Sequence, residues 1–214
     1  MSVVTVERKI LKKNDEVAAE NRQLFKDNHV FAINLLSSPG SGKTSLLEKT
    51  LAMLNHAIRI AVIEGDVQTD NDARRVAIYN VPVVQIVTNG GCHLEAKLVQ
   101  NALENIPLKD LQLLVIENVG NLVCPASYDL GEHKKVVMIS TTEGDDKPSK
   151  YPSMFRVSNV MIINKTDLLA YVDFDMKKVR ENALAINPNL EIIELSCRTG
   201  EGLDTWIDWI KKNI

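Results

Sequence analysis

Two sets of residues in this chain have the types and spacing to do chemistry. The first is Ser37-Ser38-Pro39-Gly40-Ser41-Gly42-Lys43-Thr44-Ser45, which leaves an apolar run and enters a helical pattern at Leu46, Leu47 and Leu51. A G-x-x-x-x-G-K-[ST] spacing between strand and helix builds a phosphate cradle. Small residues let successive backbone amides converge on an anion, and the helix N-terminus adds its positive end. In that role residues 38–45 wrap the phosphates, Lys43 meets the outer ones and the Thr44 hydroxyl coordinates Mg2+. The first motif position is Ser37 where the pattern has Gly, so altered loop detail rather than lost binding is expected. The second set is Cys92, His93 and Cys124. Two thiolates and an imidazole suit Ni2+ or Zn2+ and are poor ligands for magnesium or calcium. Three donors leave a four-coordinate site one short, to be filled by water or by a second protomer. Free cysteine is also a common small buried hydrophobe, but both thiols stand beside polar and glycine residues, where apolar packing gains little.

The elements that must carry these residues are legible from periodicity. Apolar runs of four to seven residues at 30–36, 58–63, 83–87, 111–116, 136–139, 160–163 and 192–195 read as strands buried on both faces. Helical windows near 44–55, 70–79, 93–105, 174–186 and 202–212 separate most of them. The alternation predicts an α/β fold, a mostly parallel sheet flanked by helices. Residues 3–27 carry apolar positions at helical spacing with no Gly or Pro, predicting a leading helix that packs on the domain body or on a second copy. The expected division is an N-terminal helical extension over 1–28 and a nucleotide-binding domain over 29–214. The stretch 141–152, with Gly144 and two prolines among charges, reads as a mobile loop. In a parallel sheet the loops after the strands share one edge, so Cys92, His93 and Cys124 can meet despite their separation in sequence.

Composition narrows the function classes. The chain has 214 residues, 45% of them hydrophobic and 25% charged, as in a soluble globular domain. With 28 acidic and 25 basic side chains the net charge is -3, so no global basic field calls for nucleic acid. No apolar run approaches the ~20 residues that span a bilayer, and the first residues lack a signal-peptide core, which reads as a cytoplasmic protein without membrane insertion. Three cysteines do not make a disulfide framework.

Further along, Asn164-Lys165-Thr166-Asp167 ends the strand at 160–163 and resembles the guanine-specificity motif of GTPases. The Asp167 carboxylate can accept from guanine N1-H and the 2-amino group, neither of which adenine offers. The Lys165 stem can lie on the purine, and Asn164 can tie this loop to the phosphate loop. Leaving such a carboxylate desolvated and unpaired costs enough to discriminate strongly against ATP. Ser196-Cys197-Arg198-Thr199-Gly200 follows the last strand, where GTPases place a second base-contacting loop. Glu117-Asn118-Val119-Gly120 stands where they carry D-x-x-G, with Glu117 toward magnesium and Gly120 toward the γ-phosphate. Asp66, ending the second strand, is a candidate magnesium-side or water-positioning carboxylate; a solvated turn acid is the plainer reading. Asn121 holds the place of the glutamine that orients water, and no arginine finger is evident, although Arg74 and Arg75 lie downstream of the second strand, so slow intrinsic hydrolysis of GTP to GDP is expected. His29, His56 and His133 read as solvated or structural.

From about residue 30 onward the sequence resembles the HypB family, GTPases that assist nickel insertion into [NiFe]-hydrogenase. The motifs that carry the resemblance are residues 38–44, Gly91-Cys92-His93-Leu94-Glu95, residues 117–125 and Thr142-Glu143-Gly144-Asp145-Asp146-Lys147-Pro148. The resemblance implies a P-loop G domain of the dimerising SIMIBI class and a nickel or zinc site at the homodimer interface, matching Cys92, His93 and Cys124. It implies partnership with a HypA-like nickel chaperone and with the hydrogenase large subunit. It also implies a lysine that reaches the neighbour's nucleotide, for which Lys147 is the candidate. Residues 1–30 contain no cysteine and only His29, so an N-terminal nickel motif is not expected. A urease accessory GTPase is the nearest alternative, but its Cys-Pro-His motif is not matched by Cys92-His93 and the separate Cys124-Pro125. A ParA/MinD-like ATPase is opposed by Asn164-Lys165-Thr166-Asp167, and a non-hydrolysing GTP-binding scaffold remains a further alternative.

Overall fold

A computed structural model describes residues 6–54, 56–68 and 71–214. Seven strands form one sheet: β1 Phe31–Ser37, β2 Ile60–Asp66, β3 Val83–Val87, β4 Leu113–Glu117, β5 Lys134–Ser140, β6 Val160–Asn164 and β7 Glu191–Glu194. They lie in the order β3-β2-β4-β1-β5-β6-β7, and each neighbouring pair is parallel. Every strand therefore ends on one rim. The helices are α1 Val6–Asp27, α2 Lys43–Leu54, α3 Asn71–Ala77, α4 Ala96–Leu103, α5 Lys147–Lys150, α6 Pro152–Val157, α7 Met176–Ile186 and α8 Leu203–Asn213.

Side-chain alternation along the central strands feeds both faces. Ile33 and Leu35 of β1 join Leu47, Leu51, Val76, Trp206 and Ile210 beneath α2, α3 and α8. Ala32 packs with Phe25, Val99 and Leu103 beneath α1 and α4. Leu36 packs with Phe155, Val179 and Ala183 beneath α6 and α7. The buried indole N–H of Trp206 donates to Thr50 Oγ1 at 2.9 Å, so α8 is docked on α2 by a satisfied polar contact as well as by area.

Five of the strands (β1, β2, β4, β5 and β6) run one to three residues farther into polar sequence than the apolar runs, so Glu64, Asp66 and Glu117 sit on paired strands rather than in turns. The segment expected to be a mobile loop is instead a 3-10 turn at Thr141–Glu143 followed by α5 and the start of α6. Pro148 and Pro152 lie in first turns, where a missing N–H costs nothing. Ser140 and Glu143 form a capping box on that 3-10 turn. The leading helix packs on the domain body; its first predicted residues, 3–5, lie outside the described residues.

Alpha helix α1 is held by polar contacts too: Asn14 Nδ2 donates to Asp129 O at 2.8 Å, and Arg22 pairs with Asp129 at 2.7 Å. It approaches the chain at Gly131 so closely that a Cβ there would lie 2.6 Å from Asn21 Cβ and 2.7 Å from Ala18 O. Gly131 also has φ of 92°. Gly131→Ala should therefore cost about 2 kcal/mol or more of stability, read as a lower urea midpoint with faster amide exchange in α1. An unchanged midpoint would show that this approach is not tight.

Candidate nucleotide and metal site

The loop after β1 has the strand-loop-helix form that its spacing predicts. Gly40 and Gly42 take φ of 79° and 103°, and α2 begins at Lys43, directing its N-terminus at a pocket of about 570 Å³. That pocket is lined by residues 39–45 together with Asp66, Glu117, Gly120 and Lys165, among others. A second space of about 350 Å³ adjoins it, lined by Asn164, Lys165, Asp167, Cys197 and Arg198 and sharing Gly42 and Ser45. The first lies at the expected phosphate loop and the second at the expected base loop.

Ser37, the departure from the motif, has a job. Its Oγ accepts from Lys43 Nζ at 2.8 Å and donates to Ser38 O at 2.7 Å. Lys43 also lies 3.9 Å from Glu117 Oε1, which accepts from Thr44 Oγ1 at 3.0 Å. Glu117 is nearly fully buried, and its Oε2 has no hydrogen-bond partner. An orphaned carboxylate oxygen beside the Thr44 hydroxyl fits a hydrated Mg2+. Asp66 lines the same pocket, its Oδ1 accepting from Gln68 N at 2.8 Å.

Sequence reasoning missed Glu64. It stands opposite Glu117 in the β2–β4 register and is equally buried. Burial first, and the Glu117 charge second, push Glu64 well above the carboxylate range, so it is the protonated member of the pair. Burial raises Glu117 as well, opposed by Lys43 and by the Thr44 hydrogen bond. The available signal was a charged residue inside an apolar strand, one that must find a partner or a proton.

At the far side, Asn164 Nδ2 donates to Ser41 O at 2.8 Å and its Oδ1 accepts from Cys197 N at 3.1 Å. Lys165, in left-handed backbone at φ 63°, donates to Gly40 O at 2.7 Å. Asp167 Oδ1 accepts from Ser196 Oγ at 2.5 Å. Arg198 is exposed at the lip. Arg75 lines the phosphate pocket but is paired with Glu48 and Asp72.

Lys147 is outside both pockets. Its Nζ lies 3.8 Å from Glu143 and 5.6 Å from the Tyr151 ring centroid. Glu143 was seen in the sequence only as part of a motif; its Oε2 accepts from Ser38 Oγ and its Oε1 from Ser140.

Cys92, His93 and Cys124 do converge, each half-buried, with ligand atoms all within 4.8 Å of one another. They are the one such cluster among the described residues. Cys92 Sγ is 3.6 Å from His93 Nδ1. The His93 ring stacks on Tyr128 at 3.8 Å, and its buried Nε2 lacks a hydrogen-bond partner. Burial holds His93 below the ordinary histidine range, which favours the neutral, ligating form. Asn121, read as standing in the water-orienting place, instead donates to Cys92 O at 3.3 Å. His133 has a backbone role, its Nδ1 accepting from Ala32 N at 3.0 Å.

Cys197 stands apart, and burial pushes its thiol up to about 11. It is therefore both shielded from reagent and held as the thiol at pH 8. Brief alkylation at pH 8 should label Cys92 and Cys124 and spare Cys197, with peptide mass spectrometry as the readout. Equal labelling of all three would contradict the buried placement.

Comparison with known proteins agrees with this geometry. Residues 31–194 match the family described as CobW/HypB/UreG, nucleotide-binding domain. The hydrogenase maturation factor HypB of Azotobacter chroococcum mcd 1 is 51% identical over 210 residues, covering 98% of this chain and 69% of that protein. The crystal structure of HypB from Helicobacter pylori in complex with nickel superposes with a TM-score of 0.89 at 37% identity, over 94% of each chain. That of the hydrogenase maturation factor HypB from Archaeoglobus fulgidus gives 0.88 at 39%, over 94% of this chain and 98% of the other. Among the described residues no helix is long and apolar enough to cross a membrane. A P-loop on a parallel sheet, an Asn-Lys-x-Asp base loop and a Cys-His-Cys cluster on one rim, at this level of identity, mean that the chain belongs to the HypB family of nucleotide-binding proteins.

Proposed function

We propose that this protein is a GTP-hydrolysing metallochaperone that assists nickel insertion into [NiFe]-hydrogenase, working as a homodimer with a HypA-like nickel chaperone and the hydrogenase large subunit. The observation that carries the reading is the position of Cys124, four residues past Gly120 and within 4.8 Å of the Cys92 and His93 ligand atoms. A segment able to sense the γ-phosphate thus continues into a thiolate site suited to nickel or zinc.

The Asp167 carboxylate selects guanine, oriented by Ser196, while Ser38, Pro39, Gly40, Ser41, Gly42, Lys43, Thr44 and Ser45 enclose the phosphates. Magnesium, held at Thr44 with Glu117 and Asp66 around it, would neutralise charge on the outer phosphates. Lys165 and Asn164 fix the base loop to the phosphate loop, and Cys197 and Arg198 flank the base. Intrinsic hydrolysis is slow, because Arg75 is committed to carboxylates and the Asn121 amide to Cys92 O and Val123 N. Lys147 of each protomer serves the partner's nucleotide. Cargo metal sits between protomers, the second copy completing a coordination sphere that three donors leave short.

Lys43→Ala should lower turnover by ~100-fold or more in a single-turnover phosphate-release assay, and unchanged hydrolysis would remove the lysine from the phosphate site. Asp167→Asn should weaken GTP by at least ~10-fold and favour the xanthine nucleotide; retained GTP preference would sink the base-loop assignment. Nickel titration of GDP-loaded and GTP-analogue-loaded protein, followed by thiolate-to-nickel absorption and by sedimentation, tests the whole. Affinity that differs between nucleotide states and is lost in Cys124→Ala supports a GTP-controlled transfer device. Equal affinity in both would make the metal structural.

A further inference from the structure

The metal cluster touches the phosphate pocket at more places than chain connectivity requires. Cys124 follows β4 and the Glu117–Gly120 segment directly. Cys92 and His93 follow β3, an edge strand separated from β1 by β2 and β4. Even so, the Cys92–Leu94 segment is braced against pocket-lining residues from two sides. Leu94 is fully buried against Gly65, where a Cβ would lie 2.8 Å from Leu94 Cδ1, and Gly65 lines the phosphate pocket. Leu94 N donates to Asn118 Oδ1 at 3.1 Å. Asn118 is fixed from behind, its Nδ2 donating to Asn34 Oδ1 at 3.2 Å and Asn34 Nδ2 donating to Glu132 Oε1 at 3.1 Å. This end of the loop is an anchor.

At the other end Gly91 is tied back to Thr88, its N donating to Thr88 O at 3.1 Å and its O accepting from Thr88 Oγ1 at 2.6 Å, and Cys92 is tied to the segment after β4 through one side chain. Asn121 Nδ2 donates to Cys92 O at 3.3 Å, while its Oδ1 accepts from Val123 N at 2.8 Å. Asn121 is only half-buried. It directly follows Gly120, which lies so close to the phosphate loop that a Cβ there would be 3.2 Å from Pro39 Cα. A displacement of Gly120 therefore carries Asn121 with it and draws on the Cys92 carbonyl, while Leu94 stays with Asn118. Cys92 then shifts between the held residues Gly91 and Leu94, and its thiol moves relative to Cys124.

We infer that Asn121 is the positioning residue through which nucleotide state sets the Cys92-to-Cys124 geometry, and with it the affinity for a thiophilic divalent cation. The inference deepens the function proposed above and rests on that reading of residues 117–120 and of the Cys-His-Cys cluster. Asn121 is not itself a metal ligand; it acts through Cys92, whose backbone O accepts from it and whose thiol it also contacts.

The test is the nickel titration of the full chain loaded with GDP or with a non-hydrolysable GTP analogue, on wild type and two variants. Asn121→Ser keeps an acceptor for Val123 N and is too short to reach Cys92 O. Asn121→Asp keeps size and acceptor and lacks the donor. Both should narrow the ratio of nickel affinities between the two nucleotide states by about fivefold, the effect of one neutral hydrogen bond. Nickel stoichiometry with GDP and affinity for nucleotide should match wild type, which a general loss of structure would not allow. A wild-type ratio in both variants overturns the role of Asn121 and leaves the proposed function standing. One affinity in both nucleotide states of the wild type overturns the proposed coupling itself, and this inference with it.

Discussion

Asn164 holds together the two halves of the nucleotide site. Its buried side chain donates to Ser41 of the phosphate loop and accepts from Cys197 of the last loop, so both amide hydrogen-bonding ends are committed. The Nδ2 atom lies 2.5 Å from where a Cβ on Gly42 would stand, so the glycine is demanded by the neighbour as much as by its own φ of 103°. This works because β5 alone separates β6 from β1 and all three strands are parallel. A one-residue slip in either pairing would turn the amide to the other face.

The electrostatics of the phosphate cradle follow from burying one cation with two acids. Lys43, Glu64 and Glu117 are each at most 8% exposed. Two ionised carboxylates there would leave an uncompensated buried charge, so Glu64 keeps its proton and Lys43 balances Glu117. Ser37 completes the arrangement by accepting from the ammonium with a hydroxyl that glycine lacks. The motif's first position has thus exchanged backbone freedom for a hydrogen bond.

The parts of the site written in contiguous spacing were legible in the sequence: the loop at 37–44, Asn164-Lys165-Thr166-Asp167, and the alternation that implies a parallel sheet. The meeting of Cys92, His93 and Cys124 was legible one step removed, because parallel strands share a rim. What sequence could not supply was strand adjacency. Glu64 faces Glu117 only because β4, not β3, lies between β2 and β1. The orientation of Asn121 toward Cys92 depends on the same order. The stretch at 141–152 was misread for a local reason, since proline marks a loop and a helix start alike, and here it starts α5 and α6.

Two asparagines on α1 fasten the roots of both ligand loops. Asn14 accepts from Ala96 N and donates to Asp129 O; Asn21 donates to Ala96 O and to Leu130 O. Ala96 ends the loop that carries Cys92 and His93, and residues 129 and 130 end the one that carries Cys124. The helix is thus a clasp across the base of the metal cluster, although it lies upstream of the matched segment 31–194. A protein lacking only this helix would keep every nucleotide contact described above and lose the fastening across the base of its thiols.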